Sequence, residues 1–348
     1  MTASQDRVQA SISEWKQIIA PFQTPSVPRA TWQVVNTLVP YVALWYLMWL
    51  SLSVSYWLTL GLAVVAGLLL VRVFIIFHDC CHGSYLKSKR ANDILGFITG
   101  MLTFTPYGHW RWQHNVHHAT SGDLDRRGDG DIWTMTVEEY EKASPKMRFF
   151  YRLIRNPIVL FGLGPLVLFL IHQRFPSPRA KGKDRSSVMA MNVAVTLMVI
   201  GLSWLFGFKN YLMMQLPVTM VAGMAGIWMF YVQHQYEDVY WERRENWDYT
   251  TAAIEGSSFY KLPKILQWFT GNIGFHHIHH LSSRIPNYHL ERCHHSHPMF
   301  HTVKPLTLWS SLKCINLRLF DEKGRRLISF GQWKKMRQQK DSDIGLAA

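Results

Sequence analysis

Residues 56–82 read YWLTLGLAVVAGLLLVRVFIIFHDCCH, and this stretch decides the class of fold. Its apolar part runs from Tyr56 to Phe77 and contains one charged residue, Arg72. That length is close to the roughly 20 residues that a helix needs to cross a bilayer core of about 30 Å. His78 and His82 follow directly, and residues four apart share one face of a helix. The stretch therefore predicts a membrane-spanning helix that ends in two potential metal ligands.

Three further apolar runs of similar length occur at Val34 to Val54, Val188 to Phe208 and Tyr211 to Gln233. Together with the first stretch they form two pairs, each joined by a short connection, which predicts two helical hairpins. Two shorter runs, Ile94 to Pro106 and Pro157 to Ile171, contain Gly or Pro and are expected to be interfacial or re-entrant.

The formal net charge of +14 would suit a nucleic-acid-binding protein, but its placement does not. The connection within the second hairpin holds only Lys209, whereas the segment 78–187 is rich in Lys and Arg. By the positive-inside rule that segment is cytoplasmic, and with four spans both termini are cytoplasmic as well. We therefore expect a multi-pass membrane protein without a nucleic-acid partner. Arg72, inside a span, is expected to snorkel to the interface.

The predicted fold is all-α and integral to the membrane, with four transmembrane helices in two hairpins and a cytoplasmic helical cap. A single domain is expected to cover residues 1–348, divided into an N-terminal cytoplasmic segment (1–33), hairpin 1 (34–77), a cytoplasmic region (78–187), hairpin 2 (188–233) and a C-terminal cytoplasmic region (234–348). The four cysteines all fall on the predicted cytoplasmic side, so we expect no structural disulfide.

Most of the 17 histidines are grouped. The groups are His78-Asp-Cys-Cys-His82, His114-Asn-Val-His117-His118 and His276-His277-Ile-His279-His280, with His234 alone at the end of the fourth run. All of them lie just outside the predicted hydrocarbon layer, and helical spacing turns two or three imidazoles of each group the same way. Eight or nine imidazoles exceed the roughly four to six ligands of one ion, which predicts a di-metal histidine site.

Imidazole ligation admits Fe, Zn, Cu or Ni, and oxygen chemistry beside a membrane favours iron because zinc cannot activate oxygen. His277 lies one position off the face shared by its neighbours and is left out of the ligand set. Pro298 disfavours helical geometry at His297, so the spacing of His297 and His301 is interpreted as accidental. The remaining histidines His109, His289, His294 and His295 are interpreted as ordinary surface or interfacial residues.

In this order and with these hairpins, the groups HDCCH, HNVHH and HHIHH resemble the histidine boxes of the membrane fatty acid desaturases. Finer motifs resemble the delta-12 and omega-3 acyl-lipid branch. They are Trp110-Arg-Trp-Gln-His114, Arg126-Arg-Gly-Asp-Gly-Asp131 with Trp133 to Tyr140, Phe230-Tyr-Val-Gln-His234-Gln-Tyr-Glu-Asp238, and Ile285-Pro-Asn-Tyr288.

The resemblance implies two irons held by the eight box histidines, which are also the catalytic set: His78, His82, His114, His117, His118, His276, His279 and His280. It further implies His234 as a ninth ligand. In some relatives an Asn one turn before that histidine completes the ligand shell through water, and here Phe230 stands at that position. From their positions beside ligands, Asp79, Glu237 and Asp238 are candidates to accept hydrogen bonds from ligand imidazoles, with interfacial carboxylates paired to Arg or Lys as the alternative.

The implied activity is O2-dependent insertion of a cis double bond into an acyl chain, at delta-12 (oleoyl to linoleoyl) on a membrane lipid. We expect a narrow apolar tunnel among the spans to position the chain. The alternatives are an omega-3 desaturase, or a di-iron lipid hydroxylase or acetylenase on the same scaffold. A metal transporter or sensor would predict ionisable residues lining the spans, and Arg72 is almost the only one.

No flavin or nicotinamide fingerprint is present, so electrons are expected from a separate protein such as a ferredoxin or a b-type cytochrome. That donor would dock on the basic cytoplasmic face. Arg126 and Arg127 are candidates for contacts with the donor or with a lipid phosphate, or for a solvated loop. The favoured location is a bacterial inner membrane over an endoplasmic reticulum.

Overall fold

The structure, a computed structural model, describes residues 14–128 and 130–346. The first 13 residues of the predicted N-terminal segment lie outside this range. The α-helices, in chain order, are α1 (Trp15–Ile19), α2 (Val27–Ser51), α3 (Tyr56–His82), α4 (Lys89–Leu102), α5 (Tyr107–Thr120), α6 (Val137–Lys142), α7 (Pro145–Ile154), α8 (Gly164–Leu166), α9 (Gly182–Phe206), α10 (Phe208–His234), α11 (Tyr249–Glu255), α12 (Lys264–Phe269), α13 (His276–Leu281), α14 (Asn287–His294), α15 (Leu308–Ser311) and α16 (Phe330–Leu346).

Tighter and wider helical turns fill several connections. The 3-10 turns are Ala20–Phe22, His172–Arg174, Pro298–Thr302 and Leu312–Asn316, and two π-helical stretches, Ile158–Leu163 and Val167–Ile171, flank α8.

Five short strands were not predicted: β1 (Met135–Thr136), β2 (Phe259–Lys261), β3 (Pro305–Thr307), β4 (Leu319–Asp321) and β5 (Arg326–Ile328). β1 pairs in parallel with β4 (Met135 opposite Leu319), and β4 pairs antiparallel with β5 (Leu319 opposite Ile328). β2 pairs in parallel with β3, with Phe259 opposite Pro305. With two or three residues each, these strands join loops of the cap and leave the fold essentially helical, as predicted.

Four helices of the described chain, α2, α3, α9 and α10, are long and apolar enough to cross a membrane. The prediction of four spans in two hairpins is confirmed. A fifth candidate joins α7 to the stretch Ile158–Arg174, with a bend of 57° at the break. The bend lies at the start of the run predicted to be interfacial or re-entrant.

α3 is the most buried of the four spanning helices. It packs against α2 and α10, and the core between them contains Tyr41, Leu70 and Met214. α3 continues to His82 and stops before Gly83, whose φ of 67° is the left-handed conformation in which helices commonly end. The last turns of α3 and α10 therefore present His78, His82 and His234 to the cap.

Arg72 corrects one expectation about the spans. Its side chain is buried, with its Nε donating to Thr37 Oγ1 at 3.1 Å and its Nη1 donating to the Trp268 carbonyl. The guanidinium also lies 4.2 Å from the centroid of the Trp268 ring. Arg72 therefore ties α3 to α2 and to α12 rather than snorkelling to water, because these two partners satisfy its donors inside the protein.

The cap closes over the ends of the spans that carry the histidines. In one of its cores, Tyr140 of α6 and Tyr151 of α7 pack with Trp333 of α16. The indole of Trp333 donates to Glu141 Oε1 at 3.0 Å. Near the N-terminus, Gln33 of α2 donates to Asn287 Oδ1 at 3.0 Å, which fastens the start of α14 to a spanning helix.

Candidate metal centre

Five predicted ligand histidines form one group, contributed by three helices. The members are His78 and His82 from α3, His114 and His118 from α5, and His279 from α13, and one ring nitrogen of each lies within 4.8 Å of the others. The Nε2 atoms approach most closely, at 3.0 Å for His78 and His114, 3.1 Å for His114 and His118, and 3.0 Å for His118 and His279.

The other four predicted ligands form a second group with the same spacing limit of 4.8 Å: His117 from α5, His234 from α10, and His276 and His280 from α13. The Nε2 of His234 lies 3.2 Å from that of His117 and 3.0 Å from that of His276. The rings of His118 and His280 stack with centroids 4.2 Å apart, so the two groups are adjacent. We call these nine residues the nine-histidine centre.

The imidazoles of the nine-histidine centre are in the protonation state that metal binding requires. Burial lowers the pKa of His114 and His118 well below the usual range, and neighbouring imidazoles lower it further. The same causes lower the pKa of His276, His279 and His280. These rings are therefore neutral at neutral pH, which is the form that ligates a metal.

A neutral Nε2 carries either one proton or one lone pair. His118 Nε2 faces both His114 Nε2 and His279 Nε2, while His114 Nε2 also faces His78 Nε2. Single protons cannot satisfy this string of three contacts, since His114 Nε2 and His118 Nε2 would each have to donate in one direction and accept in the other. Lone pairs directed at a metal ion satisfy all of them together, so the donor set fits a metal.

Three hydrogen-bond acceptors, placed on the outer side of the imidazole rings, direct the Nε2 lone pairs towards the interior of each group. His78 Nδ1 lies 3.0 Å from Asp79 Oδ1, His117 Nδ1 lies 2.6 Å from Asp131 Oδ1, and His234 Nδ1 lies 3.4 Å from the Gly256 carbonyl. Carboxylate and carbonyl oxygens only accept, so each Nδ1 donates and each Nε2 keeps its lone pair for the group.

Asp79 is where its sequence position suggested, and it is nearly inaccessible to solvent. Its Oδ2 accepts from the backbone N–H of Asn287 at 2.6 Å and from the Asn287 side chain at 2.8 Å. The carboxylate thus links α3, which carries His78, to the first turn of α14. This network orients the ligand and joins two parts of the cap.

The expectation that Glu237 and Asp238 support a ligand is wrong. Both side chains are exposed, and within the described contacts the Nδ1 of His234 faces the Gly256 carbonyl instead. The reason is that α10 ends at His234 and Gln235 leaves helical geometry, with φ −128° and ψ 70°. Residues beyond that point no longer share a face with His234.

Asp131 is a functional candidate that sequence reasoning did not assign. It follows His117 by 14 positions in an irregular loop, so no periodicity connected the two residues. The loop can approach because Gly130 has a φ of 85°, and an added Cβ at Gly130 would lie 3.0 Å from the Cβ of His117. The sequence contained one signal, the motif Arg126-Arg-Gly-Asp-Gly-Asp131, but the motif did not indicate that Asp131 pairs with His117.

Phe230 packs against the four-histidine group. Its ring centroid lies 5.1 Å from that of His117 and 5.2 Å from that of His234. An apolar ring thus borders this group on the face where the resemblance implies an Asn. The two groups consequently differ, with five imidazoles in one and four beside a phenyl ring in the other.

The loop arginines are used inside the cap. Arg127 forms a two-point ion pair with Glu139, and its donors also reach the carbonyls of Leu124 and Thr134. Arg126 pairs with Asp123 at 2.5 Å. Both arginine side chains therefore have partners within the cap, and these contacts explain their presence in the loop without a bound lipid phosphate.

A cavity of about 870 Å³ extends from the nine-histidine centre between the spans. His78, His114 and His276 line the cavity where it meets the nine-histidine centre. Its walls further away are mainly apolar and include Leu70, Phe74 and Phe169. Along α10 the lining residues run from Gln233 back to Thr219, which is about 21 Å at about 1.5 Å per residue. The volume is typical of ligand pockets, which are commonly about 300–1,000 Å³.

Fold and site together define a class: a helical membrane protein with a histidine-rich candidate metal site open to an apolar cavity. Comparison with known proteins gives the family. The fatty acid desaturase family model matches residues 55–304. The chain therefore belongs to the fatty acid desaturase family, which makes it an oxidoreductase and confirms the family to which the histidine boxes pointed.

Three curated relatives illustrate the range within the family. A fatty acid desaturase of Bacillus subtilis is 49% identical over 312 residues, covering 90% of this chain and 89% of the relative. An sn-1 acyl-lipid omega-3 desaturase (ferredoxin) of Synechocystis sp. is 27% identical, covering 66% and 64%. An sn-1 oleoyl-lipid 12-desaturase of Synechocystis sp. is 26% identical, covering 74% and 71%.

Proposed function

We propose that the chain introduces a cis double bond into a fatty acyl chain of a membrane lipid, using O2, two electrons from an external donor and two irons. The single observation that carries the proposal is the position of the nine-histidine centre, at one end of an apolar cavity that follows α10 into the membrane-spanning region. An unactivated methylene offers no polarity to acid or base chemistry, so it requires an oxidant.

In the proposed reaction a CH2–CH2 unit loses two hydrogens and becomes CH=CH. O2 takes these two hydrogens together with two electrons from the donor and two protons, and leaves as two waters. Iron, when bound, supplies the oxidant that removes the hydrogens. The five-histidine and four-histidine groups are proposed to hold one iron each.

The protein's own residues position the acyl chain, shield it from water and orient the ligand imidazoles. Apolar side chains such as Leu70 and Phe74 exclude water from the acyl chain and hold one C–C bond beside the centre. Asp79 and Asp131 keep the rings of His78 and His117 in the ligand orientation. The position of the new double bond is then set by how far the acyl chain enters the cavity before it reaches the end near Thr219.

We propose delta-12 regiochemistry, the conversion of oleoyl to linoleoyl lipid, because of the motif resemblance and the name of one relative, an oleoyl-lipid 12-desaturase. The second candidate is omega-3 insertion, favoured by another relative's name. That relative is also described as a ferredoxin enzyme, which supports an external donor such as a ferredoxin, with a b-type cytochrome as the alternative.

The test is gas chromatography with mass spectrometry of total fatty acids from a host that makes oleate and expresses the full chain. The matched control is His117→Ala with His118→Ala, which removes one ligand from each group. We expect a new dienoic acid only with the intact chain, its double-bond position fixing the regiochemistry. An unchanged profile from well-expressed, iron-loaded protein supplied with a ferredoxin and its reductase would contradict desaturation.

The iron proposal has a separate test in metal content. Purified chain is expected to hold two irons. His82→Ala and His280→Ala belong to different groups, so each is expected to lower iron content by about half, as measured by inductively coupled plasma mass spectrometry. Loss of all iron from both variants would argue against two separable sites.

A further inference from the structure

A third histidine cluster lies in the cap, apart from the nine-histidine centre. It comprises His294 at the end of α14, His295 directly after it, and His301 in the turn Pro298–Thr302. One ring nitrogen from each residue lies within 4.8 Å of the other two. His294 is buried, whereas His295 and His301 are exposed, so an ion in solution can reach the cluster.

The turn Pro298–Thr302 brings His301 to the end of α14, a contact that the spacing of His297 and His301 does not encode. Pro298 excludes an α-helix through His297 and His301, but proline is well tolerated in the first position of a helical turn. Here it begins the 3-10 turn Pro298–Thr302, which folds His301 back onto the end of α14. The ring centroids of His294 and His301 are 4.9 Å apart. His297 takes no part, because its Nδ1 accepts from the Met299 N–H at 3.3 Å.

Hydrogen bonds leave one ring nitrogen free on each buried or folded-back histidine. The Nε2 of His301 lies 3.0 Å from the His294 carbonyl, which can only accept, so Nε2 carries the proton and Nδ1 keeps its lone pair. The Nδ1 of His294 lies 3.3 Å from the Nε2 of His277. When His294 donates this hydrogen bond, its own Nε2 is free to ligate. Ligand histidines usually donate their second N–H to a buried acceptor in this way.

The protonation state of His294 also suits metal binding. Burial lowers its pKa to about 4, with contributions from the nearby His295 and His301, while the Glu291 carboxylate acts in the opposite direction. His294 is therefore neutral near pH 7, and an ion does not have to displace a proton from it. Glu291 lies in α14, one turn before His295, and pairs with Lys264.

We propose that His294, His295 and His301 bind a divalent first-row transition ion such as Zn²⁺, at a surface site separate from the nine-histidine centre. Three imidazoles with the remaining positions open to water form a donor set for a borderline ion of this class. His277 is buried behind His294 and accepts when the Nδ1 of His294 donates. It follows His276 directly, and neighbouring residues of a helix point about 100° apart, so the two sites lie on different faces of α13.

The test uses the full chain in detergent, purified with a tag that contains no histidine and already loaded with iron. Zn²⁺ is titrated in competition with a chromogenic chelator. The test variant combines His295→Gln and His301→Gln, both at exposed positions. The control is His297→Asn, which removes a neighbouring imidazole and retains an acceptor for the Met299 N–H.

We expect the wild type and the control to bind one more Zn²⁺ than the double variant, or to bind it at least about tenfold more tightly. Iron content should be equal in all three proteins. Equal Zn²⁺ binding by wild type and double variant would overturn the proposal, and so would loss of Zn²⁺ binding in the control as well. This binding test does not depend on desaturase activity, so failure of the proposed function leaves its result unchanged.

Discussion

At the scale of single residues, the centre depends on acceptors placed behind its imidazoles. Asp79 and Asp131 each hold one ring, although they come from different kinds of structure. Asp79 follows a ligand on the same helix, while Asp131 reaches His117 from a loop. Such acceptors fix the ring orientation and raise the basicity of the ligand, so their removal weakens a metal site without removing a ligand.

Asp131→Ala tests this dependence. The substitution leaves His117 in place but removes the acceptor 2.6 Å from its Nδ1, so we expect iron affinity or activity to fall about 10- to 100-fold. The measurement is iron retained after dialysis against a graded chelator. Asp125→Ala is the matched control, because Asp125 lies in the same loop and pairs with the surface residue Arg243. Wild-type retention of iron by Asp131→Ala would show that His117 needs no such partner.

At the scale of elements, α3 connects the membrane to the site. α3 packs against α10 and carries His78 and His82 at its end, while α10 ends in His234. Any displacement of α3 from α10 therefore separates ligands of the two groups. The two helices approach closely at Gly67, where an added Cβ would lie 2.6 Å from the Cβ of Val221. Small residues of this kind let spanning helices pack closely.

Gly67→Ala is therefore expected to destabilise the protein by about 1–3 kcal/mol through overpacking, and to lower the melting temperature in detergent. Gly61→Ala, two turns earlier in the same helix, meets no atom within 4 Å. That control should leave stability unchanged or raise it by up to about 1 kcal/mol, as alanine favours helix. The packing argument fails if the two variants melt at the same temperature.

The cavity along α10 leads to a prediction about chain length. Thr219 lies at the end of the α10 lining that is furthest from His234, and it is buried. Thr219→Phe should shorten the space available to the acyl chain and shift the products towards shorter fatty acids, as measured by gas chromatography. Thr219→Val keeps the volume and should leave the distribution unchanged. An unaltered distribution in Thr219→Phe would place the end of the acyl chain elsewhere.

At the scale of the whole molecule, charge distribution sets the orientation in the membrane. We propose that the cap, the nine-histidine centre and both termini are cytoplasmic in a bacterial inner membrane, because the segments flanking the spans on that side carry the excess of Lys and Arg. The turn between α2 and α3 contains neither. A docking donor would then meet the basic face of the cap.

Reporter fusions test this orientation. Alkaline phosphatase joined after Val54, in the turn between α2 and α3, should be active because it is exported, whereas the same enzyme joined after Ala348 should be inactive. Green fluorescent protein should show the reverse pattern, with fluorescence only from the C-terminal fusion. Active phosphatase at Ala348 would place the centre on the outer side and rule out a cytoplasmic donor.

The sequence by itself determined the membrane class, the two hairpins and the nine histidines that the structure brings together. These follow from local properties, namely the length of apolar runs and the spacing of residues on one helix face. Only the tertiary structure decided the division into groups of five and four, the partner of His117, the burial of Arg72, the outward position of Glu237 and Asp238, and the third cluster at His294. Each of these depends on how loops and helix ends meet, and no periodicity along the chain encodes such contacts.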